Sequence, residues 1–217
     1  MSEFIACTIP FSGSDTLGSF EGQHKEAMDM RVMVLGLRAI PGVQGGVETH
    51  AEHLYPHLVT SGCEMEVLVR SPYARPDVTR YKGIRLTRVW TVRRPGVEAL
   101  LHSVVGILYA AVRRPDILHI HAIGPAIVTP IARALGLRVV MTHHGFDYDR
   151  EKWGAIARWV LRAGESWGVR ASNQCICVSP AISRRMHEKY GVEVKAIPNG
   201  VEPPTSGDPE VVRALGL

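Results

Sequence analysis

Gly36-Leu-Arg-Ala-Ile-Pro-Gly-Val-Gln-Gly-Gly-Val-Glu-Thr-His50 lies between two runs with different hydrophobic periods. Before it, Val32, Met33, Val34 and Leu35 form an unbroken apolar run, the pattern of a strand buried on both faces. After it, Val47, Ala51, Leu54, Tyr55 and Leu58 recur with the 3.6-residue period of a helix. A glycine loop between a buried strand and a helix start can hold an anion. Gly45 and Gly46 have no Cβ, so a ligand can approach the backbone and positive φ is allowed. The first N–H groups of the helix lack intrahelical partners, and the helix dipole adds positive potential there. Phosphate is the favoured guest, and a nucleotide diphosphate the natural candidate. The spacing matches neither the dinucleotide fingerprint nor the P-loop. By itself the loop is therefore equally readable as a plain connection.

The same alternation continues outward. Strands are expected at 31–37, 64–69, 84–90, 116–121, 138–142, 174–178 and 193–197. Helices are expected at 46–60, 97–112, 125–135, 151–171 and 181–189. Pro56 should kink the first helix, and Gly136 suits the end of the third. Trp153, Ile156, Ala157, Val160, Leu161 and Trp167 are expected on one apolar face of the fourth. Alternating strands and helices with near-continuous apolar strands define an α/β fold with a doubly wound parallel sheet, Rossmann-like. Residues 1–29, rich in Ser and Gly without a sustained period, read as a flexible extension. Residues 30–200 form the domain. Residues 201–217 begin with Val-Glu-Pro-Pro-Thr-Ser-Gly, a linker, and then a helix start at Asp208-Pro209-Glu210. A second, C-terminal domain is expected to begin there.

Composition narrows the class. The chain has 217 residues, 46% hydrophobic and 21% charged, with four cysteines too scattered for a disulfide scaffold. All four read as reduced thiols of a cytoplasmic protein. The apolar run 99–112 contains His102 and Ser103 and falls short of the roughly 20 residues a membrane span needs. A net charge of +4 is mild, but Arg75, Arg80, Lys82, Arg85, Arg88 and Arg93 cluster with only Asp77 among them. Any one of these residues is most simply read as part of a solvated face, while the patch as a whole suits a phosphorylated substrate or an anionic membrane surface. It has no interleaved aromatic motif, so nucleic acid is not expected as a partner.

In a doubly wound sheet, ligands bind at the carboxyl ends of the strands. Those ends carry Gly45, Gly46, Glu48 and Thr49 after the first strand, and His121 at the exit of the strand 116–121. They carry His143, His144, Gly145 and Asp147 after 138–142, and Ser179 after 174–178. His119 shares a strand face with His121 but lies deeper, where a satisfied core histidine is expected. Asp147 is readable as a helix cap or as an acceptor for a substrate hydroxyl. Ser179 before Pro180 is expected to cap the next helix, whose N-terminus can still touch a ligand. Glu48 in the first helical turn is favourable to the dipole. Beside a phosphate it would repel, so it fits acceptor binding better than donor binding. No carboxylate or cysteine is spaced to complete a metal set with these histidines, and no metal is expected.

Five segments carry a resemblance: Gln44-Gly-Gly-Val-Glu-Thr-His50, Asp116-Ile-Leu-His-Ile-His121, Thr142-His-His-Gly-Phe-Asp147, Ile176-Cys-Val-Ser179 and Ile197-Pro-Asn-Gly-Val201. In this order they resemble the N-terminal half of retaining, GT-B fold, family 4 (group 1) glycosyltransferases. Phe146-Asp-Tyr-Asp-Arg-Glu-Lys-Trp153 is similar to members that build bacterial surface polysaccharides. The resemblance implies sugar transfer from a nucleotide-sugar co-substrate to an acceptor hydroxyl, with no further cofactor. It places Gly45 and Gly46 against the donor phosphates, His121 as the catalytic-centre histidine facing the transferred sugar, and His144 in the cleft. Glu48, Thr49, Asp147 and Ser179 join as substrate-binding candidates. Asn199-Gly200 matches the hinge to a donor-binding half, supplied by further sequence or by a second chain, without which no transfer is expected. The acceptor is a saccharide or is lipid-linked, which places the protein in the cytoplasm or at the inner face of the membrane. The alternative from another class is a non-catalytic Rossmann-type scaffold for a sugar phosphate or an anionic surface.

Overall fold

The computed structural model describes residues 30–94, 96–151 and 153–200. The expected extension 1–29 and the linker and helix start in 201–217 lie outside the described residues. Eight strands form one sheet in the order β3-β4-β2-β1-β5-β6-β7-β8. They are β1 (Arg31–Leu35), β2 (Glu64–Arg70), β3 (Arg80–Tyr81), β4 (Ile84–Val89), β5 (Ile117–His121), β6 (Val139–His143), β7 (Gln174–Cys177) and β8 (Lys195–Ala196). All pairs are parallel except β3 with β4. The helices are α1 (Gly46–Thr60), α2 (Val97–Arg113), α3 (Thr129–Ala134), α4 (Ala155–Ala171) and α5 (Pro180–Tyr190).

Strand residues alternate between two cores. Met33 and Leu35 of β1 join a cluster with Ile107 of α2, Val169 of α4 and Met186 of α5. Val32 and Val34 join the opposite cluster with Ala51, Tyr55 and Leu58 of α1. Both faces of β1 are thus covered, and this is why its sequence is apolar without interruption. The expected doubly wound α/β fold is the one found.

The chain runs from β1 outward to β2 and β4, then returns to place β5 on the other side of β1. This reversal opens a crevice at the carboxyl ends of β1 and β5. Gly36, the residue after β1, has φ of +111°, and a Cβ there would lie 2.4 Å from the His121 carbonyl oxygen. Only glycine lets the two strand exits come this close.

Several element boundaries differ from the sequence expectation for physical reasons. Within the basic connection, β3 and β4 form a hairpin around Lys82 and Gly83, whose φ values are 44° and 84°. A two-residue strand of charged and aromatic residues has no readable period. The expected helix 125–135 divides into a 3-10 turn, Pro125–Val128, followed by α3. Pro130 has no N–H to donate to the preceding turn, so a continuous helix is interrupted there. Gly136, with φ of +79°, follows the end of α3 as expected. Strand 193–197 contracts to β8.

Only part of the apolar face expected for α4 is buried: Leu161 packs against the core, but the large residues at its two ends do not. Ile156 is 82% exposed and Trp167 also faces out. The buried residues are Gly164, Glu165, Gly168 and Val169. A Cβ at Gly164 would lie 2.0 Å from the Ile123 carbonyl oxygen, and one at Gly168 would lie 2.8 Å from Ala126 Cβ. Close backbone contact, rather than a large apolar stripe, sets the rotation of this helix.

Candidate functional site

The glycine loop meets α1 at Gly45, the N-cap, which makes no side-chain cap bond. Its φ is 161°, extended backbone open to any residue, so positive φ is not what requires glycine here. Space is the reason. A Cβ on Gly45 would lie 2.1 Å from Glu48 Oε2 and 2.4 Å from Arg38 Nη2. A Cβ on Gly46 would meet nothing within 4 Å, which leaves open volume above the first helical turn. Thr49 is exposed on the same turn.

Glu48 accepts hydrogen bonds from Arg38 N at 3.1 Å and Arg38 Nε at 3.0 Å. Burial pushes its carboxyl pKa up, but the Arg38 bonds outweigh burial and the net shift is downward. The carboxylate expected to meet an acceptor is therefore engaged by Arg38, which it fixes over the loop. Arg38 also donates to the Gln44 carbonyl oxygen. Nothing in the sequence marks this arginine, since a lone charge in a loop carries no periodic signal.

His121, the last residue of β5, is completely buried. Its Nε2 meets the Tyr55 hydroxyl of α1, and its Nδ1 lies 2.8 Å from His144 Nε2. The same hydroxyl is 3.0 Å from His119 Nδ1, and His119 Nε2 is 2.7 Å from Thr142 Oγ1. His50 of α1 brings a fourth ring, with centroids 6.0 Å from His121 and 5.5 Å from His144. His119 is the satisfied core histidine expected, and the expected neighbourhood of His121 and His144 is present. Neither Tyr55 nor His50 is marked as a site residue by the sequence pattern. Tyr55 counts as apolar in a helical pattern, and its partners are more than 60 residues away in sequence.

Burial, then the neighbouring imidazoles, holds His119 and His121 well below the ordinary histidine value. The same causes hold His144 at about 3, and burial lowers His50. These rings are neutral at physiological pH, able to donate or accept a hydrogen bond but unable to supply positive charge. Positive potential at this rim comes instead from the α1 N-terminus and the Arg38 guanidinium.

A second network anchors the segment that carries His144. Gly145 N–H donates to His143 Nδ1 at 3.2 Å, so the His143 proton resides on Nε2 and points to Glu165 at 3.3 Å. Glu165 also accepts from Tyr148 at 2.9 Å, Tyr190 at 2.6 Å and Lys189 at 2.5 Å. Burial alone would raise the Glu165 pKa. The bonds from His143, Lys189, Tyr190 and Tyr148 overcome it and hold the group at about 2. Asp147 lies in the first turn of a 3-10 segment rather than at its cap, and pairs with Arg150 at 3.1 Å. Ser179 caps α5, accepting from Ile182 N at 3.3 Å, as expected.

Among the described residues no group of His, Cys, Asp and Glu is arranged to hold a metal ion. Nor is any described helix long and apolar enough to cross a membrane. A cavity of about 190 Å³ lies at the opposite edge of the sheet, lined by Arg31, Glu64, Arg85 and Arg113 among others. It faces the amino ends of the strands, away from the imidazoles.

Comparison with known proteins bears on this rim. The model of Glycosyltransferase Family 4 matches residues 44–204. A glycogen synthase of Mycobacterium tuberculosis is 27% identical over 204 residues, covering 80% of this chain and 49% of the relative. The chain thus spans about half the length of the curated relatives it matches. Among solved structures, sucrose-phosphate synthase of Thermosynechococcus elongatus superposes with a TM-score of 0.67 at 15% identity, over 87% of this chain and 53% of that one. HepE of Anabaena, solved with UDP and glucose, superposes with a TM-score of 0.57 at 17% identity, over 86% and 50%. These likenesses establish the Rossmann-like GT-B fold.

Proposed function

The chain belongs to glycosyltransferase family 4, and from that premise we propose that it forms the acceptor-side half of a retaining, nucleotide-sugar-dependent transferase. The observation that carries this reading is the crevice where β1 and β5 diverge. There the open space over Gly46 and the half-buried His144 come from separate strand exits. The helix start offers unpaired N–H groups to a leaving diphosphate, with the Arg38 guanidinium held beside it by Glu48. His144, with His121 directly behind it, offers neutral hydrogen-bonding groups suited to sugar hydroxyls. The UDP and glucose bound by HepE and the synthase activities of the relatives named above support a nucleoside diphosphate sugar as donor. The donor's nucleotide is expected to be gripped by a second lobe, covalently continuous or separate.

The acceptor is a growing cell-surface saccharide, a choice supported by the segment 146–153. A lipid-linked acceptor would bring this half to an anionic membrane. The exposed Ile156 and Trp159 beside Arg158 and Arg162 suit that surface. Flotation with anionic vesicles, absent with neutral ones, is the expected result; equal recovery with both would remove the membrane from the proposal. The transferase reading itself is tested by titrating nucleotide sugars into this half joined to a donor-binding lobe. Perturbation centred on Gly46 and His144 supports it, and silence there defeats it.

A further inference from the structure

Four hydrogen bonds thread five side chains into one line. His144 Nε2 meets His121 Nδ1, His121 Nε2 meets the Tyr55 hydroxyl, that hydroxyl meets His119 Nδ1, and His119 Nε2 meets Thr142 Oγ1. The line crosses α1, β5 and β6, and ends at the residue after β6. A neutral imidazole carries one ring proton and a tyrosine hydroxyl one more. If His121 donates from Nε2 to Tyr55, then Tyr55 must donate to His119, and His121 Nδ1 must receive from His144. Reversing one link reverses all of them. Any mixed pattern sets two protons or two lone pairs facing each other, or has both imidazoles donate to Tyr55 and leaves its hydroxyl proton without an acceptor in a buried place, and an unmade buried hydrogen bond costs about 1–3 kcal/mol. The rings therefore carry their protons all on Nε2 or all on Nδ1.

We propose that Tyr55 is a positioning residue that couples the tautomers of His119, His121 and His144, so that His144 Nδ1 is the ring nitrogen offered to a ligand. His121 is completely buried, and both of its nitrogens already have protein partners. His144 is half-buried, and its Nδ1 has no partner among the described residues. A ligand hydroxyl that donates to His144 Nδ1 selects the state with every proton on Nε2. A ligand oxygen that accepts from it selects the opposite state. The polarity of one sugar contact is thereby transmitted through Tyr55 to Thr142. That the ligand is a sugar rests on the transferase reading; the coupling of the rings does not.

The test is a two-bond proton–nitrogen correlation spectrum of the chain labelled with ¹⁵N-histidine, at neutral pH and without ligand. His119, His121 and His144 are expected to show one shared tautomer, each with two well-separated ring nitrogen signals. In Tyr55→Phe the central link is gone. The His119 and His121 signals are then expected to move toward averaged positions while the circular dichroism spectrum is retained. Different tautomers among the three rings of the wild-type chain would overturn the proposal without any variant. So would a folded Tyr55→Phe chain with unchanged ring signals. Neither result depends on a nucleotide sugar binding, so a failure of the transferase reading would remain separately visible.

Discussion

Between pH 7 and pH 5 the chain is expected to lose most of its stability. Burial is the first cause of a lowered pKa at His102, His119, His121 and His144, with His102 and His144 held at about 3. In the unfolded chain these groups return to about 6.5. Below that pH the unfolded state takes up protons that the folded state refuses, so stability falls as pH falls. The loss continues until the folded-state values are reached. Each such histidine contributes roughly 1.4 kcal/mol per pH unit, so the four together give on the order of 5 kcal/mol per pH unit. Total stabilities of domains are only about 5–15 kcal/mol. Urea midpoints measured at pH 7, 6 and 5 should therefore drop steeply. His102 offers a control remote from the rim. It is completely buried in α2 beside the Leu68 backbone, and its replacement by Gln should reduce the slope by one histidine's share. A stability that is flat from pH 7 to 5 would mean that the imidazole cluster is hydrated in solution.

Glu165→Ala is the substitution expected to cost most. The carboxylate is wholly buried and accepts bonds from four side chains. Removing one partner of a buried ion pair costs about 3–5 kcal/mol. The lower end applies here, because Lys189 is 41% exposed and recovers hydration when freed. His143, completely buried, recovers none. A loss of about 3 kcal/mol corresponds to a fall in Tm of roughly 6–12 °C for a chain of this size. The depressed pKa carries its own pH signature. Its contribution is fully present above about 4.5 and is lost as pH falls toward 2, below the window governed by the histidines. A Tm within about a degree of the parent would show that the network adds nothing to folding.

The strands and the rim were legible in sequence because both follow from local pattern. Val32 to Leu35 and Ile117 to His121 are buried on both faces, so they read as unbroken apolar or imidazole-bearing runs. His121, His143, His144 and Ser179 stand at strand exits, and strand exits are where this topology places ligands. Pairings set by the fold rather than by neighbours were not legible. Tyr55 joins two histidines from a helix far away in the chain, and Glu165 meets Tyr148, Lys189 and Tyr190 across three elements. The rotation of α4 is not legible because Gly164 and Gly168 bury backbone, for which hydrophobic periodicity has no symbol, while Ile156 and Trp167 remain outside. Gly45 was recognised for its place but not for its reason, which is the Arg38–Glu48 pair packed against it.

The whole reading stands on a nucleotide-sugar cleft lying at the carboxyl ends of β1, β5 and β6. A titration of UDP-glucose into this half joined to a donor-binding lobe, followed residue by residue through backbone amide signals, examines it most directly. The largest shifts are expected at Gly46 and His144, with Arg31 and Arg113 of the opposite cavity unmoved. Shifts concentrated around Arg31 and Arg113, with Gly46 and His144 silent, would place the ligand at the wrong edge of the sheet and contradict it.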